Sequence, residues 1–218
     1  MTAASSRSKV RKGVLDGISD AYRKYLRMSG HQLREAPEFF LASSIANKLR
    51  KVAAPCKVTL ESGIKETLGE ARASGKGRAA KTVSYKGRFD IVLWYRVKDK
   101  PRAVIEVKHP IRVPTAAKIN KDVERICRVL RKSIDNGGSI KLGIFAFYTD
   151  SLEPKKKDKN ASARLRRRTK IIESRCKAIA KRFRCIARLT MSRAHRFDKE
   201  AWASCAVTFT PGVRSKFA

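Results

Sequence analysis

The stretch FDIVLWYRVKDKPRAVIEVKHP, residues 89–110, constrains the fold more than any other. Two strongly apolar runs flank a short polar hinge at 98–101, which predicts strands over 83–97 and 102–108 paired as a hairpin. Side chains alternate faces along a strand, so Glu106 and Lys108 point the same way while Ile105 and Val107 point to the other face. Pairing across the hinge brings Asp90 level with the Glu106 end. Two carboxylates and an ammonium thus converge on strands that otherwise read as core. Burying such a group without purpose is costly.

The chemistry of that trio suggests a site for a hard divalent cation. Mg²⁺ (or Mn²⁺) takes carboxylate oxygens and keeps several waters. Held by Asp90 and Glu106, such an ion would polarise a phosphodiester and acidify a bound water. Lys108 would position or deprotonate that water, or offset charge developing at phosphorus. The alternative is a hairpin whose exposed face carries ordinary cross-strand ion pairs. The remaining elements decide between them.

The chain carries 52 Lys and Arg against 19 Asp and Glu in 218 residues, a net charge of +33. Such an excess repels itself in a compact fold and calls for a polyanionic partner, first of all nucleic acid. Hydrophobic residues make up 42%, enough for a packed core in one domain. No apolar run approaches the ~18 residues of a membrane span, so no membrane partner is expected. The N-terminal stretch MTAASSRSKVRKGVLDG is basic and lacks an apolar signal region; a nucleic-acid-binding arm suits it better than a transit peptide. Cys56, Cys127, Cys176, Cys185 and Cys205 are odd in number and widely spaced, with no C-x-x-C pair. They read as small buried hydrophobes in a reducing, nucleic-acid-containing compartment such as the cytoplasm.

Helical spacing predicts a first helix over 14–28 ending near Gly30, and a second from Pro37, with Phe40, Leu41, Ile45 and Leu49 on one side, ending at Pro55. A strand follows over 57–62, then a basic loop or hairpin arm running from Gly63 into residues 74–88. After the hairpin, Ile119, Val123, Ile126, Val129 and Leu130 share a helix face, capped by Thr115 and stopped at Asn136-Gly137. IKLGIFAFYTD suits a central strand covered on both faces. A solvated charge run, SLEPKKKDKN, leads to a third long helix with Leu165, Ile172, Cys176 and Ile179 inward, and then to strands CIARLTM and CAVTFT. This alternation predicts an α/β layered fold around a mixed sheet.

The pattern FD, fifteen residues, then EVK resembles the signature of the PD-(D/E)xK nuclease superfamily, with Phe89 in place of the leading Pro. The resemblance covers residues 37–150 and implies a restriction-endonuclease-like core, αβββαβ. Residues 1–36 would then be a basic arm and helix, and 151–218 a basic helix and strands completing the same domain. It further implies a metal-dependent endonuclease acting on double-stranded DNA through Asp90, Glu106 and Lys108. An acid on the first core helix would complete the metal site, Glu38 by the pattern or Glu35 in reserve. Asp122 and Arg125 fall in the helix behind the site and read as a structural pair. A homodimer or a partner protein is expected beside such a chain, in restriction, anti-phage defence, repair or recombination. The rivals are a non-cutting nucleic-acid-binding or assembly module of the same fold and a ribosome-associated or packaging protein.

Lys76, Arg78, Lys81, Lys86 and Arg88 of the arm, and Arg166, Arg167 and Arg168 at the third helix, are the expected phosphate contacts, which bind without reading sequence. His109 directly follows the EVK and reads as a polar strand cap before a catalytic group. His31 and His195 read as surface residues, Glu61 as a solvated acid, and Tyr85, Trp94 and Tyr95 as core aromatics. No P-loop or dinucleotide-binding glycine pattern occurs.

Overall fold

A computed structural model describes residues 3–52, 56–73, 87–95, 98–111, 116–151, 160–197 and 200–212. Helix α1 (Ala3–Ser29) leads through a 3-10 turn (Leu33–Glu35) to α2 (Glu38–Val52). Strand β1 (Cys56–Gly63), the short helix α3 (Ile64–Glu70), and strands β2 (Arg88–Tyr95) and β3 (Lys100–Lys108) follow. Then come α4 (Ala116–Asp135), β4 (Leu142–Ser151), α5 (Ala161–Arg182), β5 (Cys185–Met191), β6 (His195–Phe197) and β7 (Glu200–Pro211).

Helix α1 begins well before residue 14, because Val10 continues the buried stripe of Val14 and Ile18 one turn upstream. Gly30, at φ 71°, turns the chain out of it. Residues 64–70 form a helix where a flexible arm was expected: Ile64, Thr67 and Leu68, spaced i, i+3, i+4, bury together. The short strand β6 was not expected. Thr115, Tyr85, the arm residues 74–86 with Lys76, Arg78, Lys81 and Lys86, and the charge run 152–159 lie outside the described residues.

The sheet runs β1-β2-β3-β4-β7-β5, with β6 on β7. Among the described strands only β3 and β4 pair in parallel, joined by α4 as the crossover; the other described pairs are antiparallel. The β2–β3 hinge turns on Asp99, whose φ of 41° is left-handed. Strand β4 is buried along its whole length, as a central strand covered on both sides must be. One core layer, with Val92, Val104, Phe145 and Phe147, packs under α3, α4 and α5. The other, with Ile91, Ile105, Val107 and Tyr148, packs under α1 and α2. Each fully buried large side chain, such as Phe145 or Leu41, stabilises by roughly 1.5–3 kcal/mol relative to exposure.

Candidate active site

Ile91 pairs with Ile105, so the next step of the antiparallel register sets Asp90 opposite Glu106. Glu106 and Lys108 pair with Phe145 and Phe147 of β4 and so face α4. Asp90 Oδ2 accepts a hydrogen bond from the Val107 N–H at 2.6 Å, which ties the β2 carboxylate to the middle of the EVK. Glu38, in the first turn of α2, reaches round the end of β3. One of its oxygens accepts from Lys108 Nζ at 3.2 Å and the other from the His109 N–H at 3.1 Å. Lys108 Nζ also lies 3.5 Å from Asp122 Oδ2. The four expected residues therefore do gather, from α2, β2 and β3, and Asp122 of α4 joins them.

Arg125 has a larger role than its expected pairing with Asp122. It keeps that contact, Nη2 to Oδ1 at 2.9 Å, but its fork is spent on Glu106: Nε to Oε1 at 2.7 Å and Nη2 to Oε2 at 2.6 Å. Glu106 is wholly inaccessible to solvent. An acid that deep requires a cationic partner, and Arg125, one turn from the buried Val129 face, supplies it. Burial pushes the Glu106 carboxyl up to about 8, against the pull of the Arg125 hydrogen bonds and charge. Burial also raises Asp90, opposed by the Val107 N–H and by Lys108. For Lys108 burial works downward, but the Asp122 and Glu38 carboxylates outweigh it and hold the ammonium above its ordinary range. Lys108 therefore stays a cation at neutral pH; it is placed to offset negative charge and is poorly suited to act as a base.

Carboxylates are the right donors for Mg²⁺ or Mn²⁺. The arrangement shown does not fit such an ion: Arg125 takes both Glu106 oxygens, and Lys108 and His109 take both oxygens of Glu38. Among the described residues no three His, Cys, Asp or Glu side chains converge as a metal-binding group.

Of the other candidates, Arg88 stands exposed at the start of β2, two residues from Asp90, and Arg166 and Arg167 are exposed on α5. Arg168 is spent internally: it donates to the Asp150 carbonyl and, at 3.4 Å, to Thr149 Oγ1. That ties the first turns of α5 to the C-terminal end of β4, the end at which Lys108 sits on the neighbouring strand. Glu35 lies apart from the cluster, paired with His31 Nδ1 at 3.2 Å. The His109 ring stacks on Tyr148, and the His109 backbone N–H positions Glu38. His195 is exposed but stacks on Trp202, ring centres 4.2 Å apart. Glu61 is exposed. Trp94 is buried as expected, its N–H donating to Thr59, whereas Tyr95, expected in the core, is exposed with Arg102 over its ring, because it ends β2 beyond the covered part of the sheet. Cys127, Cys176, Cys185 and Cys205 are buried free thiols; burial pushes Cys176 up to about 12, out of reach of thiolate chemistry at neutral pH. No described helix is long and apolar enough to cross a membrane. Compared with known family models, curated proteins and solved structures, the chain matches none.

Proposed function

We propose that the chain is a nuclease that hydrolyses phosphodiester bonds in double-stranded DNA where the start of β2 lies beside the end of β3. The observation that carries this reading is the meeting of Asp90, Glu106, Lys108 and Glu38 from three separate elements. Two further facts support it. The order α2-β1-β2-β3-α4-β4, interrupted only by the short α3, is that of a restriction-endonuclease-like core. And in a chain of net charge +33, this cluster holds four carboxyls (Glu38, Asp90, Glu106, Asp122) against two cations, Lys108 and Arg125.

In this reading Lys108 stabilises the charge that builds on the phosphoryl oxygens, and Glu38 and Asp122 aim it from either side. Asp90 and Glu38 are the carboxyls that stay within reach of solvent, whereas Glu106 and Asp122 are buried. Arg88, Arg166 and Arg167 hold the phosphates alongside. Mg²⁺ or Mn²⁺ enters this reading only with a rearranged site, because Arg125 holds both oxygens of Glu106 and Lys108 and His109 hold both of Glu38. The setting we favour is restriction or defence, or repair.

One observation favours a second reading, a nucleic-acid-binding module that does not cut: Arg125 neutralises Glu106 as a structural ion pair does. Supercoiled plasmid separates the two. With Mg²⁺ or Mn²⁺ added, purified wild type should convert it to nicked and linear forms, and Asp90→Asn should not. Plasmid left intact by wild type, or cut equally by both proteins, supports the module.

A further inference from the structure

Away from the cluster, the other end of the sheet carries a second basic feature. Strand β5 is an edge strand, and its alternation buries Cys185 and Ala187 under α5 while Ile186 and Arg188 face the α1 side. In register beside them on β7 are Thr210, opposite Ile186, and Thr208, opposite Arg188. The first turns of α1 form the facing wall, with Arg7, Ser8 and Arg11. The result is a groove of about 360 Å³ lined by these residues and Leu142. Leu142 opens β4, opposite Ala103, whereas Lys108 pairs with Phe147 further along, so the groove and the cluster lie at opposite ends of the strands.

The lining holds three guanidinium groups and no acid. Arg7, Arg11 and Arg188 make no ion pair among the described residues. Elsewhere the cations are commonly matched: Arg182 and Arg128 with Glu124, Arg131 with Asp135, Lys48 with Asp20. Arg7 and Arg11 are one turn apart, about 6 Å along α1. Ser8 on the α1 wall and Thr210 on the floor add hydroxyl groups, while the Thr208 hydroxyl donates to the Arg188 carbonyl at 3.2 Å. An arginine on an edge strand also blunts edge-to-edge pairing. That role accounts for Arg188 but not for the two arginines that α1 sets across from it.

We propose that this groove seats the phosphate backbone of double-stranded nucleic acid, as a second binding surface separate from the carboxylate cluster. Guanidinium forks recognise phosphate oxygens in two-point fashion, and hydroxyl groups donate to the same oxygens. Contacts of this kind position a duplex without reading its sequence. The inference goes beyond the cutting reading and stands whether or not the chain cuts.

The test is binding to a labelled duplex of about 20 base pairs, followed by fluorescence anisotropy in EDTA so that cleavage plays no part. The triple variant Arg7→Gln/Arg11→Gln/Arg188→Gln should bind at least about 10-fold more weakly at ~100 mM salt, and its salt slope should fall by about 2–3, close to one per lost phosphate contact. A control removing equal charge from exposed, unpaired sites elsewhere, Arg50→Gln/Lys65→Gln/Lys181→Gln, should stay within about 3-fold with a slope change below about 1. Thr210→Glu, which removes no cation, should weaken binding, whereas Thr210→Val should do so far less. Equal losses in the two triple variants, or none in either, overturn the proposal. So does a groove triple that keeps duplex affinity but loses binding to anionic vesicles or a self-association seen by sedimentation.

Discussion

At the scale of single residues, the Glu106–Arg125 pair decides the energetics of the site. Removing one partner of a buried ion pair leaves an uncompensated charge and costs about 3–5 kcal/mol, whereas replacing both costs much less. Above about pH 8, where Glu106 is ionised, Arg125→Met should therefore destabilise the fold by about that amount in urea denaturation, and Glu106→Gln/Arg125→Met should recover most of it. Equal losses in the single and double variants would contradict the pairing. Glu106 also sets a pH dependence. Its folded pKa, about 8, lies above the ordinary 4.5, so the folded state holds this proton more tightly than the unfolded chain. Its stabilising share is complete below about pH 4.5 and is lost as pH rises through about 8. Wild type should accordingly lose stability relative to Glu106→Gln between about pH 5 and 8, by at most about 1.4 kcal/mol per unit. Parallel stability curves would argue that Arg125 keeps Glu106 ionised throughout. The sequence displays Asp90, Glu106 and Lys108 plainly, because period-two alternation and one short hinge are enough to place them together. It hides the partner of Glu106, since Arg125 reaches the acid across the packing of α4 on the sheet, a relation no local spacing encodes.

At the scale of elements, the position of Glu38 depends on how closely α1 and α2 approach. Gly17 of α1 lies against the Ile45 backbone of α2: a Cβ added there would meet Ile45 Cα at 2.7 Å. Backbone cannot give way as a side chain tip can, so Gly17→Ala should cost about 1–3 kcal/mol by thermal or urea denaturation. A neutral effect would mean that the helices can part without loss. Most elements are legible in the sequence. The β2–β3 hairpin shows its polar hinge, the amphipathic α4 one clear helical period, and the doubly covered β4 an unbroken apolar run. Helix α3 is not, because two turns beside a run of Gly, Ala and Lys give too short a window. Strand β6, three residues long, exists only through its pairing with β7.

At the scale of the whole molecule, a net charge of +33 makes association with a polyanion the dominant long-range property. Affinity for duplex DNA should fall at least about 100-fold between ~50 and ~200 mM salt; an affinity nearly constant over that range would show that phosphate contacts do not carry binding. Charge alone does not tell a cutting protein from a coating one. That distinction rests on Lys108, which the fold holds charged between Glu38 and Asp122 at the end of β3. The most direct measurement is therefore the single-turnover cleavage rate of end-labelled duplex DNA by wild type and by Lys108→Ala, with binding measured on the same substrate. The account predicts a rate at least about 100-fold lower for the variant, near the cost of removing one transition-state charge contact, with affinity within about 3-fold. Equal rates, or a loss that merely follows weaker binding, would contradict it.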